Sequence, residues 1–149
     1  MTEYRHGTEK CCDACHQILP RELSEVISCS GDMYQFARKM GWCEPKQEVF
    51  YAVTLSTCNK IIRYDEIARG GINTVHVHPS DVMRPALLCS GASIIVAHNH
   101  PSGEPNPSPE DRLLTERISN ACSLMGLRLL DHLIVANGTY YSFSDAGEA

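Results

Sequence analysis

Apolar residues along this chain follow two periods, and the switches between them mark out its elements. Residues 49–55, Val-Phe-Tyr-Ala-Val-Thr-Leu, form a β-branched and aromatic run that reads as a strand. Cys58, Asn59 and Lys60 look like a turn into a second strand over residues 61–67, which Gly70 and Gly71 break, and residues 72–78 suggest a further short extended piece. Residues 93–97, Ser-Ile-Ile-Val-Ala, are a short apolar run of the kind that forms a buried strand. Residues 129–135 predict another, and Asn137-Gly138 then turns the chain into residues 140–143, the strongest hairpin signal present.

Between these strands the spacing becomes helical. Residues 32–40 place Tyr34, Phe36, Ala37 and Met40 at apolar positions, with Asp32 as the expected N-cap and Gly41 as the stop. A helix is expected after Pro79 through Val82, Met83, Ala86, Leu87 and Leu88, closing at Gly91. Pro85 falls inside it, and because an interior proline costs ~3 kcal/mol or more, a kink or a shifted start is expected. Residues 108–125 are the clearest helix, with Leu113, Leu114, Ile118, Ala121 and Leu124 on one face and Gly126 after it. Residues 20–27, with proline in the first turn, suggest a short one. Strands and helices mixed in this order predict an α/β domain of three layers around one sheet.

Size and charge narrow the classes. At 149 residues, 43% of them hydrophobic, the chain fits one domain with one core. No run approaches the roughly 20 apolar residues that span a bilayer, and Met1-Thr2-Glu3-Tyr4-Arg5-His6 lacks the apolar segment of a secretory signal. A cytoplasmic protein with no membrane partner is the expectation. Thirteen basic against eighteen acidic residues give a net charge of −5, which does not support tight, unspecific binding to a nucleic-acid backbone but leaves room for a local basic patch. The eight cysteines, Cys11, Cys12, Cys15, Cys29, Cys43, Cys58, Cys89 and Cys122, are scattered and read as buried or incidental thiols. Cys12 and Cys15 have ligand-like spacing, but no second close pair exists to complete a structural zinc site. The N-terminal segment, residues 1–27, is therefore expected to be weakly ordered apart from its short helix.

The chemistry concentrates after the strand at residues 93–97. If extended geometry continues, alternation puts His98 and His100 on one side and turns Asn99 away. Asp111 returns into range if the loop at residues 101–107 folds over and a helix starts at Ser108. Two histidines and a carboxylate around zinc, with the fourth position left to water, make a hydrolytic centre. The second His-x-His word, His76-Val77-His78, is followed ten residues on by Leu88 and then Cys89, with no serine–carboxylate pair at a helix start there, and reads as strand or turn. Ser108 and Asp111 are also explained by helix capping, with Pro109 at the first helical position. The two roles are compatible, since Ser108 can accept a backbone N–H while its proton serves an oxyanion. A general base would come from Glu44, Glu48, Asp65 or Glu66, and spacing alone does not choose among them.

His98-Asn99-His100-Pro101-Ser102-Gly103 followed by Pro107-Ser108-Pro109-Glu110-Asp111 resembles the JAMM motif of JAB/MPN-type metalloproteases. Leu130-Asp131-His132-Leu133-Ile134-Val135, Tyr141-Ser142-Phe143, Glu48-Val49-Phe50 and Val77-His78-Pro79 are similar to words of the bacterial RadC family. Ser80 departs from the basic residue usual after the His-Pro word. The resemblance implies a RadC-like JAB/MPN domain over residues 28–149, with a cytidine-deaminase-like α/β/α sandwich around a mixed sheet. It implies one zinc ion held by His98, His100 and Asp111, Glu48 as the catalytic glutamate and Ser108 as the oxyanion-stabilising serine. The implied activity is hydrolysis of an amide or isopeptide bond of a peptide or protein substrate by a zinc-activated water.

Two rivals belong to other classes. A zinc deaminase needs H-x-E and P-C-x-x-C words, which this chain lacks. A DNA-repair-associated or other DNA-associated module of the RadC family, with a structural or inactive zinc site, would need neither Glu48 nor Ser108.

Overall fold

The computed structural model describes residues 25–70 and 77–149. Its elements run α1 (Ser30–Lys39), β1 (Val49–Leu55), β2 (Ile61–Arg69), α2 (Pro79–Leu88), β3 (Ser93–Asn99), α3 (Pro109–Leu124), β4 (Arg128–Ala136) and β5 (Thr139–Ser142). The five strands form one mixed sheet in the order β2-β1-β3-β4-β5. β3 and β4 are parallel because α3 carries the chain back between them, and the remaining pairs are antiparallel.

Alternation along the central strands supplies two cores, one on each face of the sheet. Tyr51, Val53, Ile95, Ala97, Leu133 and Val135 pack with Met33, Phe36 and Ala37 of α1. Phe50, Ala52, Ile94 and Val96 pack with Val82 and Ala86 of α2 and with Leu114, Ile118 and Cys122 of α3. The architecture is therefore three-layer α/β/α, as the patterning predicts. Among the described residues, no helix is long and apolar enough to cross a membrane.

Local differences from the sequence expectations have physical causes. Residues 25–27 are extended, not helical: Val26 bridges Lys60, and the Ile27 N–H donates to the Asn59 carbonyl. These β-branched residues find backbone partners just ahead of β2. The rest of that segment, with Cys11, Cys12, Cys15 and most of the piece expected over residues 72–78, lies outside the described residues. Asp32 is not the N-cap of α1, because the helix starts two residues earlier; from its third position it accepts the N–H groups of Ser28 and Cys29. His78 is the N-cap position of α2, which begins at Pro79 and continues through a buried Pro85.

Gly91 sets how closely α2 approaches the sheet. A Cβ added there would lie 2.2 Å from Cγ2 of Thr54 on β1. Gly91→Ala should therefore destabilise the protein by about 1–3 kcal/mol through overpacking. Urea denaturation measures this, and Thr54→Ser in the same chain, which deletes the clashing methyl, should recover part of the loss.

Candidate metal centre

The site forms where β3 ends beside its parallel neighbour β4 and α3 begins. The carboxyl edge of parallel strands is a natural crevice, because the chain must leave the sheet there. Extended geometry continues past Asn99, since the His100 N–H donates to the Val135 carbonyl of β4. His98 and His100 thus share a side. Their Nε2 atoms are 3.0 Å apart.

Asp111 reaches them from the first turn of α3. One carboxylate oxygen lies 3.3 Å from His98 Nε2 and the other 3.6 Å from His100 Nε2. Among the described residues, these three form the group whose ligand atoms all lie within 4.8 Å of one another. His98 is buried and His100 is half-buried, so the group is open on the His100 side, beside exposed residues 101–104.

Proton placement suits a cation. His100 Nδ1 lies 2.9 Å from the Glu104 carbonyl, an acceptor, so this nitrogen carries the proton and the neutral ring turns a lone pair inward. Two imidazole nitrogens and a carboxylate converging in this way are the donor set of a borderline divalent ion. These residues could hold a metal ion. The charges respond to the crowding. Hydrogen bonding to Asp111 raises the His100 pKa, against burial and with help from the Glu104 carbonyl and the charges of Asp111 and Glu48. Burial by itself would raise Asp111, but His100 and His98, whenever they carry a proton on the Nε2 that faces it, and the Ser108 N–H overcome this and hold the carboxyl far below the usual range; a metal ion would stand in place of those protons.

Ser108 caps α3 and orients Asp111. Its Oγ accepts the Asp111 N–H at 3.1 Å, while its own N–H donates to Asp111 Oδ2 at 2.8 Å. The hydroxyl proton also points to Oδ2, at 2.8 Å. It is committed to the carboxylate, not free for an oxyanion as the sequence suggests, and would have to rotate to serve one.

Glu48 immediately precedes β1. The β1–β3 register pairs Phe50 with His98, and carrying that register two residues outward sets Glu48 across from His100. The alternative carboxylates are engaged elsewhere: Asp65 with Arg63, and Glu66 with Arg69. Glu44 is exposed on the loop between α1 and β1.

Two further residues matter that sequence reasoning left without a role. Asn99, turned to the opposite face, accepts the Val49 N–H at 2.7 Å and donates to the carbonyls of Pro45 and Gln47 at 3.2 and 3.0 Å. It clamps the backbone on both sides of Glu48. Asn99→Ala would strand these three backbone groups, so a loss of about 2–4 kcal/mol in urea denaturation is expected, with faster amide exchange at Val49. The available signal was an amide side chain at the polar end of an apolar strand. His132 on β4 is fully buried, with Nε2 2.8 Å from His98 Nδ1. Burial first, and the neighbouring His98 second, push its pKa well below the ordinary imidazole value. The signal for His132 was a histidine within an otherwise apolar strand.

In a comparison with protein-family models, residues 27–148 match the family described as RadC-like JAB domain.

Proposed function

This chain belongs to the RadC-like JAB domain family, and we propose that it acts as a zinc-dependent hydrolase of the metallopeptidase type, cleaving an amide or isopeptide bond of a peptide or protein substrate. One observation carries the proposal: His98, His100 and Asp111 converge, and the group they form contains no fourth protein ligand among the described residues. Structural zinc sites close with four protein ligands, whereas three leave a position for water and substrate. Zinc held there would supply an acidified water and a polarised carbonyl.

The protein's own groups would do the rest. His98, His100 and Asp111 hold the ion. Glu48, on the His100 side, takes the proton of the attacking water and returns it to the leaving amine. The Ser108 hydroxyl swings from Asp111 Oδ2 to donate to the oxyanion as it develops. Substrate enters beside exposed residues 101–104. Residues 28–149 are the catalytic unit, and Cys29, Cys43, Cys58, Cys89 and Cys122, which form no disulfide among the described residues, suit a cytoplasmic, reducing setting.

The test is an unbiased peptide and isopeptide cleavage profile of zinc-loaded wild type beside Glu48→Gln. Cleavage by wild type alone is the expected result. If neither protein cleaves any probe while both bind DNA tightly, the DNA-associated module replaces the hydrolase.

A further inference from the structure

We propose that Thr115 and His132 are positioning residues that form a one-way hydrogen-bond relay, locking His98 in the tautomer whose Nε2 offers a lone pair to the metal; this rests on the metal-centre reading above. The relay starts at a group that cannot reverse. Thr115 Oγ1 lies 2.7 Å from the Asp111 backbone carbonyl, and since a carbonyl has no proton, the single hydroxyl proton sits between these oxygens. Thr115 can then meet His132 Nδ1, 2.6 Å away, only as an acceptor, so His132 carries its proton on Nδ1. The neutral ring has just a lone pair left at Nε2. The proton in the 2.8 Å contact between His132 Nε2 and His98 Nδ1 therefore belongs to His98. His98 Nε2 is left bare, facing His100 and Asp111.

The route ties together the three elements on which the centre depends. It begins at the main chain of Asp111 on α3, crosses His132 on β4, and ends at His98 on β3. The turn of helix that delivers the carboxylate thus also sets the proton of a histidine ligand. Packing fixes both rings. His132 stacks on Phe143 at 4.8 Å and 9°, and meets Phe50 edge-on at 5.6 Å, while Phe50 lies against His98 at 5.8 Å and 16°. His100 needs no such relay, because the Glu104 carbonyl alone dictates its tautomer. Outer hydrogen-bond partners of this kind orient metal-bound histidines and raise their basicity.

Thr115→Val removes the start of the relay and keeps the shape of the side chain. His132 can then carry its proton on Nε2 and donate to His98, which moves the His98 proton to the metal side. Zinc affinity should fall about 10–100-fold, the usual cost of losing an outer partner. Thr115→Ser, which restores the hydroxyl, should bind zinc nearly as wild type does. His132→Phe keeps a ring against Phe143 but leaves His98 Nδ1 without an acceptor, and should lose at least as much affinity as Thr115→Val. Nitrogen-resolved histidine NMR of the metal-free protein supplies a readout that does not depend on zinc. Wild type should show the His98 proton on Nδ1, with a scalar coupling across to His132 Nε2, and Thr115→Val should lose that coupling. A wild-type His98 proton on Nε2, or wild-type zinc affinity in a folded Thr115→Val, overturns the relay. Wild type that shows the Nδ1 proton and coupling yet binds no zinc supports the tautomer lock and overturns the metal centre.

Discussion

Glu48→Gln is expected to lower turnover by about 10²–10⁴-fold, the range for loss of a general acid–base. The amide keeps the size and shape of the carboxylate but cannot take a proton from water. Glu48 lies outside the His98–His100–Asp111 group, so zinc should remain at about one ion per chain. Its backbone is held through Asn99 and through the Gly70 N–H, neither of which uses the Glu48 side chain. The effect should appear in turnover more than in KM. Unchanged turnover in the variant would remove Glu48 from the mechanism.

His100→Ala should release the zinc. Outer partners of metal ligands cost 10–100-fold when lost, so removal of a direct ligand should weaken zinc by more than about 100-fold. Metal analysis after dialysis reads the stoichiometry directly. A second readout is stability: ligand at 100 times its Kd stabilises a folded state by about 2.7 kcal/mol, so added zinc should raise the Tm of wild type and leave the variant unmoved. His100 suits this test better than Asp111, which also caps α3 through its carboxylate. It suits it better than His98, which is buried against Phe50 and His132. Zinc that stays tightly bound to His100→Ala would sink the site.

Much of the molecule was legible in one dimension because its signals are local. The run at residues 49–55, the Asn137-Gly138 turn and the periodicity after Ser108 each encode an element through neighbours a few positions apart. The same holds for Ser108 and Asp111, whose reciprocal capping follows from a three-residue spacing. Failures occurred where a partner distant in sequence decided the outcome. Residues 25–27 carry no mark of Asn59 and Lys60, with which they pair. Asp32 is a local case instead: it is the third residue of a capping box, accepting the Ser28 and Cys29 N–H groups, and a carboxylate there resembles the cap itself.

The sequence by itself determined the three-layer α/β class, the helix start that presents Asp111, and the pairing of His98 with His100 on one side of an extended segment. All of these follow from backbone period and from contacts within a few residues. Only the tertiary structure decided which strands lie side by side. The antiparallel register of β1 against β3 sets Glu48 across from His100, and the parallel register of β3 with β4 brings His132 to His98. It also placed the partners of the proposed donations, from His98 through His132 and Thr115 to the Asp111 carbonyl, and of the one from His100 to the Glu104 carbonyl. The physical reason is that a hydrogen bond acts over about 3 Å in space, whatever the separation along the chain.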